Sequence, residues 1–300
     1  MQRLRDDRGA VAVLTALLLV PLMVCAALVV DIGASYVQRR QLQNAADASA
    51  LAIAQDCGKG NCSAGNNQTT ANSFTSANAP GRAATAQVAP VTGNTVTVTT
   101  KATVNYAFAP VIGISNNTVT AKASASWGSP TGGQSILPLA ISLCSFKAQT
   151  GGGHPTGTTP VTIQTSKDDN TECTGPSGNV VPGGFGWLKI DDVPGCIVTT
   201  SITNVVYSKP GASRPCDDSY FTAQLQQTVL LPIFDVAGGN GTNAWYQIYG
   251  YAAFRFTGFN FQGSHLSIQG YFTVFLDQFP TFTYGAGSPD LGARAVTLTA

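Results

Sequence analysis

Residues 9–54 read GAVAVLTALLLVPLMVCAALVVDIGASYVQRRQLQNAADASALAIA. The fold turns on whether this is one helix or two segments. From Gly9 to Val30 there is no charged residue, and the run is as long as a bilayer-crossing helix, about 20 residues. Pro21 lies inside it, which a membrane helix tolerates. Residues 31–56 contain no proline and a single glycine, Gly33, among many alanines, glutamines, leucines and arginines, all good helix formers. We therefore expect one continuous helix from about Ala10 to about Gln55. It comprises a transmembrane segment over 9–30 and a stalk over 31–57, with Gly58 where a helix would stop.

A cleaved signal peptide would have a shorter apolar core followed by a small-x-small site. This run is longer and continues through Asp31 without a break, so an uncleaved anchor is expected. Arg3, Arg5 and Arg8 precede it, and Arg39 and Arg40 follow it. The positive-inside bias is slight, and it places residues 1–8 in the cytoplasm and the body of the chain outside. The stalk is rich in small residues that let another element approach closely. Ala45, Ala46, Ala48, Leu51 and Ala52 are the helix-packing candidates, either against the chain's own sheet or against a partner.

Beyond Gly58 comes a polar stretch rich in Asn, Thr, Ser and Ala, read as a linker over 58–84 that forms a loop or frayed helix. Thr95-Val-Thr-Val-Thr-Thr, Ala102-Thr-Val-Asn-Tyr-Ala-Phe and Thr118-Val-Thr-Ala-Lys-Ala-Ser-Ala-Ser-Trp alternate with period two. They predict an antiparallel sheet over 85–127 that packs on the stalk, with turns at Gly93-Asn94 and Ser115-Asn116-Asn117. Residues 128–300 predict a β-rich, disulfide-stapled unit. Ile136–Cys144 reads as a short apolar strand, and 149–184 as too turn-rich for a core. An aromatic meander runs from Thr228 onward, turning at Gly258–Gly263, and its inward side chains supply most of the core. The fold class is α+β: a long N-terminal transmembrane and stalk helix, then a mostly antiparallel β ectodomain.

Six cysteines follow the apolar run: Cys57, Cys62, Cys144, Cys173, Cys196 and Cys216. On an oxidising side they can form up to three disulfides, and Cys57–Cys62 is the first expected pair because of its short spacing. Cys25, inside the run, behaves as a small hydrophobe. No metal, cofactor or catalytic site is expected. His154 and His265 lie near no nucleophile motif, and neither is close to a cysteine as a zinc site requires. Asp168-Asp-Asn-Thr-Glu172 lacks the spacing and glycine of an EF-hand and reads as a solvated loop. Charged residues are only 10% of the chain, the net charge is +1 and no basic run stands out, which argues against nucleic acid as a partner.

The arrangement Arg8-Gly-Ala-Val-Ala12, Ala16-Leu-Leu-Leu-Val-Pro21, Val30-Asp-Ile-Gly33 and Arg39-Arg-Gln-Leu-Gln-Asn-Ala-Ala-Asp-Ala-Ser-Ala-Leu-Ala52 resembles the N-terminus of the TadE/TadG-like proteins of Flp (tight adherence) pilus assembly. The likeness covers about the first sixth of the chain. It implies a bacterial, membrane-anchored structural component of a type IV-related pilus machine, without enzymatic activity. The implied partners are the membrane, other pilus-assembly proteins, and a second copy through the N-terminal helix. Peptidase processing of the prepilin kind would fall after Gly9, but such a signal carries Glu five residues on, where this chain has Leu14. That departure points to a TadG-like protein. Larger members carry an Asp-x-Ser-x-Ser metal motif in a von Willebrand A domain; the nearest string here, Asp47-Ala-Ser-Ala-Leu51, lacks the second serine. A surface adhesin that binds glycan through the aromatic meander is the alternative reading.

Overall fold

The computed structural model describes residues 8–81, 83–209, 214–240 and 243–299. The first seven residues, with Arg3 and Arg5 among them, lie outside this range. The chain divides into two compact units: residues 1–54, 62–126 and 298–300 form one, and residues 55–61 and 127–297 the other.

Helix α1 runs unbroken from Arg8 to Gly58, with Pro21 inside it, and its residues up to Ala54 belong to unit one. Over Val11–Leu19 and Leu22–Val30 its large side chains are exposed (Leu17 69%, Leu22 67%, Val29 70%). Beyond that point a buried stripe begins, formed by Gln38, Leu42, Ala45, Ala46, Ser49, Ala50, Ile53 and Ala54. The spacing of three and four residues puts these on one helix face. Because half of the stripe is alanine and only Leu42 and Ile53 are large and apolar, it carries little contrast in hydrophobicity with the opposite face.

That face meets two partners. One is the sheet β1 (Thr85–Val88), β2 (Thr95–Asn105) and β3 (Asn116–Ser135), all antiparallel, with Asn105 paired to Asn116 and Thr95 to Ser126. Along β2, residues Val96, Val98, Thr100, Ala102 and Val104 point inward, as do Val119, Ala121, Ala123 and Ala125 of β3, and the residues between them face out. Leu42 packs with Ala102, Val104, Val119 and Ala121, and Thr100 Oγ1 donates to the Leu42 carbonyl at 2.9 Å. The sheet is longer than expected from sequence, since β3 continues past Trp127 to Ser135 and so enters unit two.

The other partner is helix α2, Ala64–Asn78. The polar stretch after Gly58 is thus not a linker throughout. Ser63 caps the helix, its side chain accepting from Asn66 N–H, and no proline interrupts it. Asn67, Ala71 and Thr75, four apart, are its buried residues, and Ser49 Oγ reaches the Ala71 carbonyl at 3.4 Å. Polar and small side chains suffice here because only a narrow stripe is covered.

Gln38 is fully buried, and neither atom of its amide has a hydrogen-bond partner. A buried, unsatisfied amide is destabilising by about 1–3 kcal/mol. Gln38→Met, close in shape and apolar, is therefore expected to raise the thermal midpoint, as scanning calorimetry of the full chain would show. A lower midpoint would contradict this.

Unit two is built on a seven-stranded sheet ordered β5 (Val161–Gln164), β13 (Ser267–Thr273), β12 (Trp245–Asn260), β11 (Thr228–Gly238), β4 (Leu139–Ser142) and β8 (Phe185–Trp187), with β10 (Val205–Tyr207) also pairing β12. The β4–β11 pair is parallel and the other registered pairs are antiparallel. The end of β3 pairs with β9 (Val198–Ser201) and β14 (Phe282–Gly285). Tyr251, Phe254, Phe256 and Phe272 are buried, and Trp187, Phe221 and Phe261 meet edge to face or tilted at 4.8–5.7 Å. Burial pushes the Tyr251 hydroxyl up to about 12, partly offset by its 2.9 Å hydrogen bond with Thr200 Oγ1.

Several sequence boundaries shift in this unit. The apolar stretch 136–144 is a strand only over Leu139–Ser142. Ser142 then caps helix α3 (Leu143–Thr150), its side chain accepting from Cys144 N–H at 3.0 Å. The turn-rich stretch 149–184 contributes short strands β5, β6 (Glu172–Thr174) and β7 (Val180–Pro182), and it buries Ile163 and Val181. Gly258 lies within β12, at a break in register beside Phe256, and the turn falls between Asn260 and Ser267.

Candidate membrane-proximal interface

The site begins where charge enters α1 at the end of the apolar run. Asp31, the first residue past the apolar run, is buried. Its carboxylate accepts three backbone hydrogen bonds, from Ala107 N–H at 2.8 Å, Phe108 N–H at 3.0 Å and Ala109 N–H at 2.7 Å. These residues open a short 3₁₀ turn, Ala109–Ile112, in the connection between β2 and β3. A carboxylate held by several N–H donors is a charge-assisted arrangement, stronger than ordinary hydrogen bonds. Burial pushes the Asp31 carboxyl up, but the three donors outweigh it and hold the group below the usual carboxylate range. One turn further along α1, Ser35 Oγ lies 3.2 Å from the Tyr106 hydroxyl. The contacts from Thr100 with Leu42, through Tyr106 with Ser35, to Ala107–Ala109 with Asp31 trace β2 descending along α1 towards the apolar run.

Asp31→Ala leaves three N–H groups without their acceptor. Amide exchange at residues 107–109 of the full-length protein is expected to quicken by about tenfold or more, with α2 unchanged. Exchange unchanged at those amides would refute the clasp. The pH dependence has a definite sign. A depressed pKa contributes stability above the ordinary value of 3.8, and this is lost as pH falls below 3.8 through the lowered folded-state value. The turn should therefore open in acid and stay closed at neutral pH.

The helix-packing candidates separate into two groups. Ala45 and Ala46 are buried within unit one, whereas Ala48, Leu51 and Ala52 stay half-buried. Exposed Tyr36 and Arg40 pair on the outer face of the stalk, Arg40 Nε donating to the Tyr36 hydroxyl at 2.9 Å.

The cysteines of unit two are bridged: Cys144 to Cys173, and Cys196 to Cys216. Cys57 and Cys62 are also disulfide-bonded, and Cys25 is a free, exposed thiol within the apolar run. His154 is tied down in unit two, with Nε2 2.5 Å from Asp290 Oδ2. The same carboxylate holds Arg294, whose guanidinium donates to the Cys57 and Gly58 carbonyls at the C-terminus of α1, at 3.3 and 2.7 Å. A cation on the last carbonyls of a helix satisfies groups that have no partner in the helix itself. His265 pairs with Asp168, and the Thr165 hydroxyl, donating at 2.7 Å, is the main cause holding Asp168 below the usual carboxylate range. Asp169 accepts from the Thr171 N–H and hydroxyl. Both aspartates of the 168–172 loop are thus engaged locally, and among the described residues no three metal-ligating side chains converge.

An apolar helix of bilayer length, continuous with a stretch that packs on a sheet of the same unit, defines a β-rich protein of the α+β class whose first helix is long and apolar enough to cross a membrane. Residues 9–56, about a sixth of the chain, match the family model described as "Putative Flp pilus-assembly TadE/G-like", and the match lies on α1. No curated protein and no solved structure matches the chain.

Proposed function

We propose that this chain is a single-span, TadG-like structural component of a Tad-type pilus machine, with its N-terminus inside and its β-rich body on the extracytoplasmic side. The observation that carries the reading is the coincidence of the Tad match, residues 9–56, with one unbroken helix whose first part is apolar and exposed. The bridged cysteines in the body suit an oxidising compartment, which supports the proposed orientation. The exposed apolar run and half-buried Ala48, Leu51 and Ala52 are the surfaces offered to other pilus-assembly proteins or to a second copy. The alternative of glycan binding through the meander has less to rest on, because Phe234, Tyr251, Phe254, Phe256 and Phe272 are buried, while Trp245, Tyr249 and Tyr271 are half-buried. Gly9 is the proposed point of any peptidase processing.

The test is affinity capture of tagged full-length protein from mildly solubilised membranes. Other Tad components are expected to co-purify at levels well above those in an untagged strain, and recovery of none would overturn the assignment. Self-association has its own readout, because oxidative cross-linking of membranes through Cys25 would yield a reducible dimer.

A further inference from the structure

The connection between β2 and β3 carries Phe108-Ala-Pro-Val-Ile-Gly-Ile114 on the surface. Val111 is 91% exposed and Ile112 64%, and Phe108 and Ile114 are exposed beside them. Single apolar side chains on a surface are ordinary, but four within seven positions form a patch. No charged residue lies between Lys101 and Lys122. Such a turn in water would be an aggregation liability.

Its position says what covers it. The turn is bonded through Ala107, Phe108 and Ala109 to Asp31, where the apolar run ends. Residues 9–30, at 1.5 Å per residue, fill a hydrocarbon layer of about 30 Å, so the boundary of that layer falls at the level of Asp31. Because β2 descends along α1 towards this level, the turn is the membrane-facing tip of the sheet. Tyr36 and Arg40 sit one to three turns above it, at the height of lipid headgroups, where tyrosine and basic side chains favour the interface.

We propose that the turn 108–114 dips into the leaflet from which α1 emerges and forms a second membrane contact. This rests on the reading of residues 9–30 as a bilayer anchor. A backbone polar group left unpaired at membrane depth costs several kcal/mol, so a non-helical tip at the interface needs its N–H groups paired. Here the N–H groups of Ala107, Phe108 and Ala109 are taken by Asp31, and Pro110 has none. Those of Val111, Gly113 and Ile114 bond to carbonyls within the turn. Gly113 closes it with φ +87°, which a side chain would strain. The consequence is mechanical. A lone helix can rotate about its axis in lipid, but one clasped to a second inserted point cannot, so the stalk presents a fixed face to its neighbours.

Depth-dependent fluorescence quenching tests this on the full-length protein in phosphatidylcholine–phosphatidylglycerol vesicles. Three singly labelled forms are compared: native Cys25, and Val111→Cys or Asn94→Cys in a Cys25→Ser background. Asn94 is exposed at the opposite end of β2, so it serves as the reference. A lipid spin label near the headgroup should quench the fluorophore at 111 at least about twice as strongly as that at 94, as expected for a segment seated roughly 5–10 Å into the interface. Equal quenching at 111 and 94, with Cys25 quenched by a deeper spin label, would overturn the insertion while leaving the anchor standing. An unquenched Cys25 would remove the anchor itself. A fluorophore at 111 shielded from aqueous iodide yet insensitive to spin-labelled lipid would assign the turn to a protein neighbour and reject lipid as its occupant.

Discussion

Replacing Leu18 and Leu22 together with arginine is expected to release the chain from membranes. The run from Val11 to Val30 contains twelve leucines and valines, each favouring insertion by about 0.3–0.6 kcal/mol, so that together they contribute roughly 4–7 kcal/mol. An arginine near the helix centre costs about 2.5–3.5 kcal/mol. The two substitutions also remove two favourable leucines, and the combined change of roughly 6–8 kcal/mol reverses the sign of insertion. Left in water, these side chains would forfeit a similar or larger free energy, since burying one leucine or valine is worth about 1.5–3 kcal/mol. Alkaline extraction of membranes should leave the parent chain and a Leu18→Ile/Leu22→Ile control in the pellet and move the arginine variant to the supernatant. An arginine variant that stays in the pellet would mean that residues 9–30 are not what holds this protein to the bilayer.

The long apolar helix was legible in the sequence because its signal is local: an uncharged run of the right length leading into strong helix formers. The sheet on the stalk was legible for a similar reason, since Thr95–Asn105 and Thr118–Trp127 alternate inward valine and alanine with outward threonine, lysine and serine. Helix α2 was legible only as a loop or frayed helix, because its buried residues are Asn67, Ala71 and Thr75, and no hydropathy pattern marks such a stripe. A capping Ser63 before fifteen residues free of proline was the one available sign. The split of the stalk alanines into buried and half-buried sets was hidden too, since residues of one type carry no contrast. Asp31 was visible only as the end of an apolar run. Its partners lie 76 to 78 residues away in the chain, and nothing in its immediate neighbourhood names them. The exposed 108–114 turn was likewise absorbed into the strand pattern around it. Its meaning comes from the clasp, a tertiary contact that ties four apolar side chains to the residue where the apolar run ends.

The second large effect concerns the body of the protein. Removing the Cys144–Cys173 bridge with paired serines is expected to destabilise unit two by about 3–4 kcal/mol, the chain-entropy value for closing a loop of its size. The two cysteines are 29 residues apart, and the enclosed segment holds the stretch richest in turns. Few apolar side chains there are buried, Ile163 among them, so the loop has little core of its own to replace the constraint. Cys144 also sits on the first turn of α3, packed in the cluster of Val181, Phe234 and Tyr251, so loosening it reaches the centre of the sheet. A typical domain is stable by only 5–15 kcal/mol, and a loss of this size removes a large share. Urea titration followed by tryptophan fluorescence, which reports Trp187 in the core of unit two, should show a lower midpoint for Cys144→Ser/Cys173→Ser. In the same experiment, reductant should lower the midpoint of the parent chain at least as far, because it opens the Cys196–Cys216 bridge as well. A parent chain whose unfolding ignores reductant would show that these bridges do not hold the body together, and would withdraw the support they lend to an extracytoplasmic location.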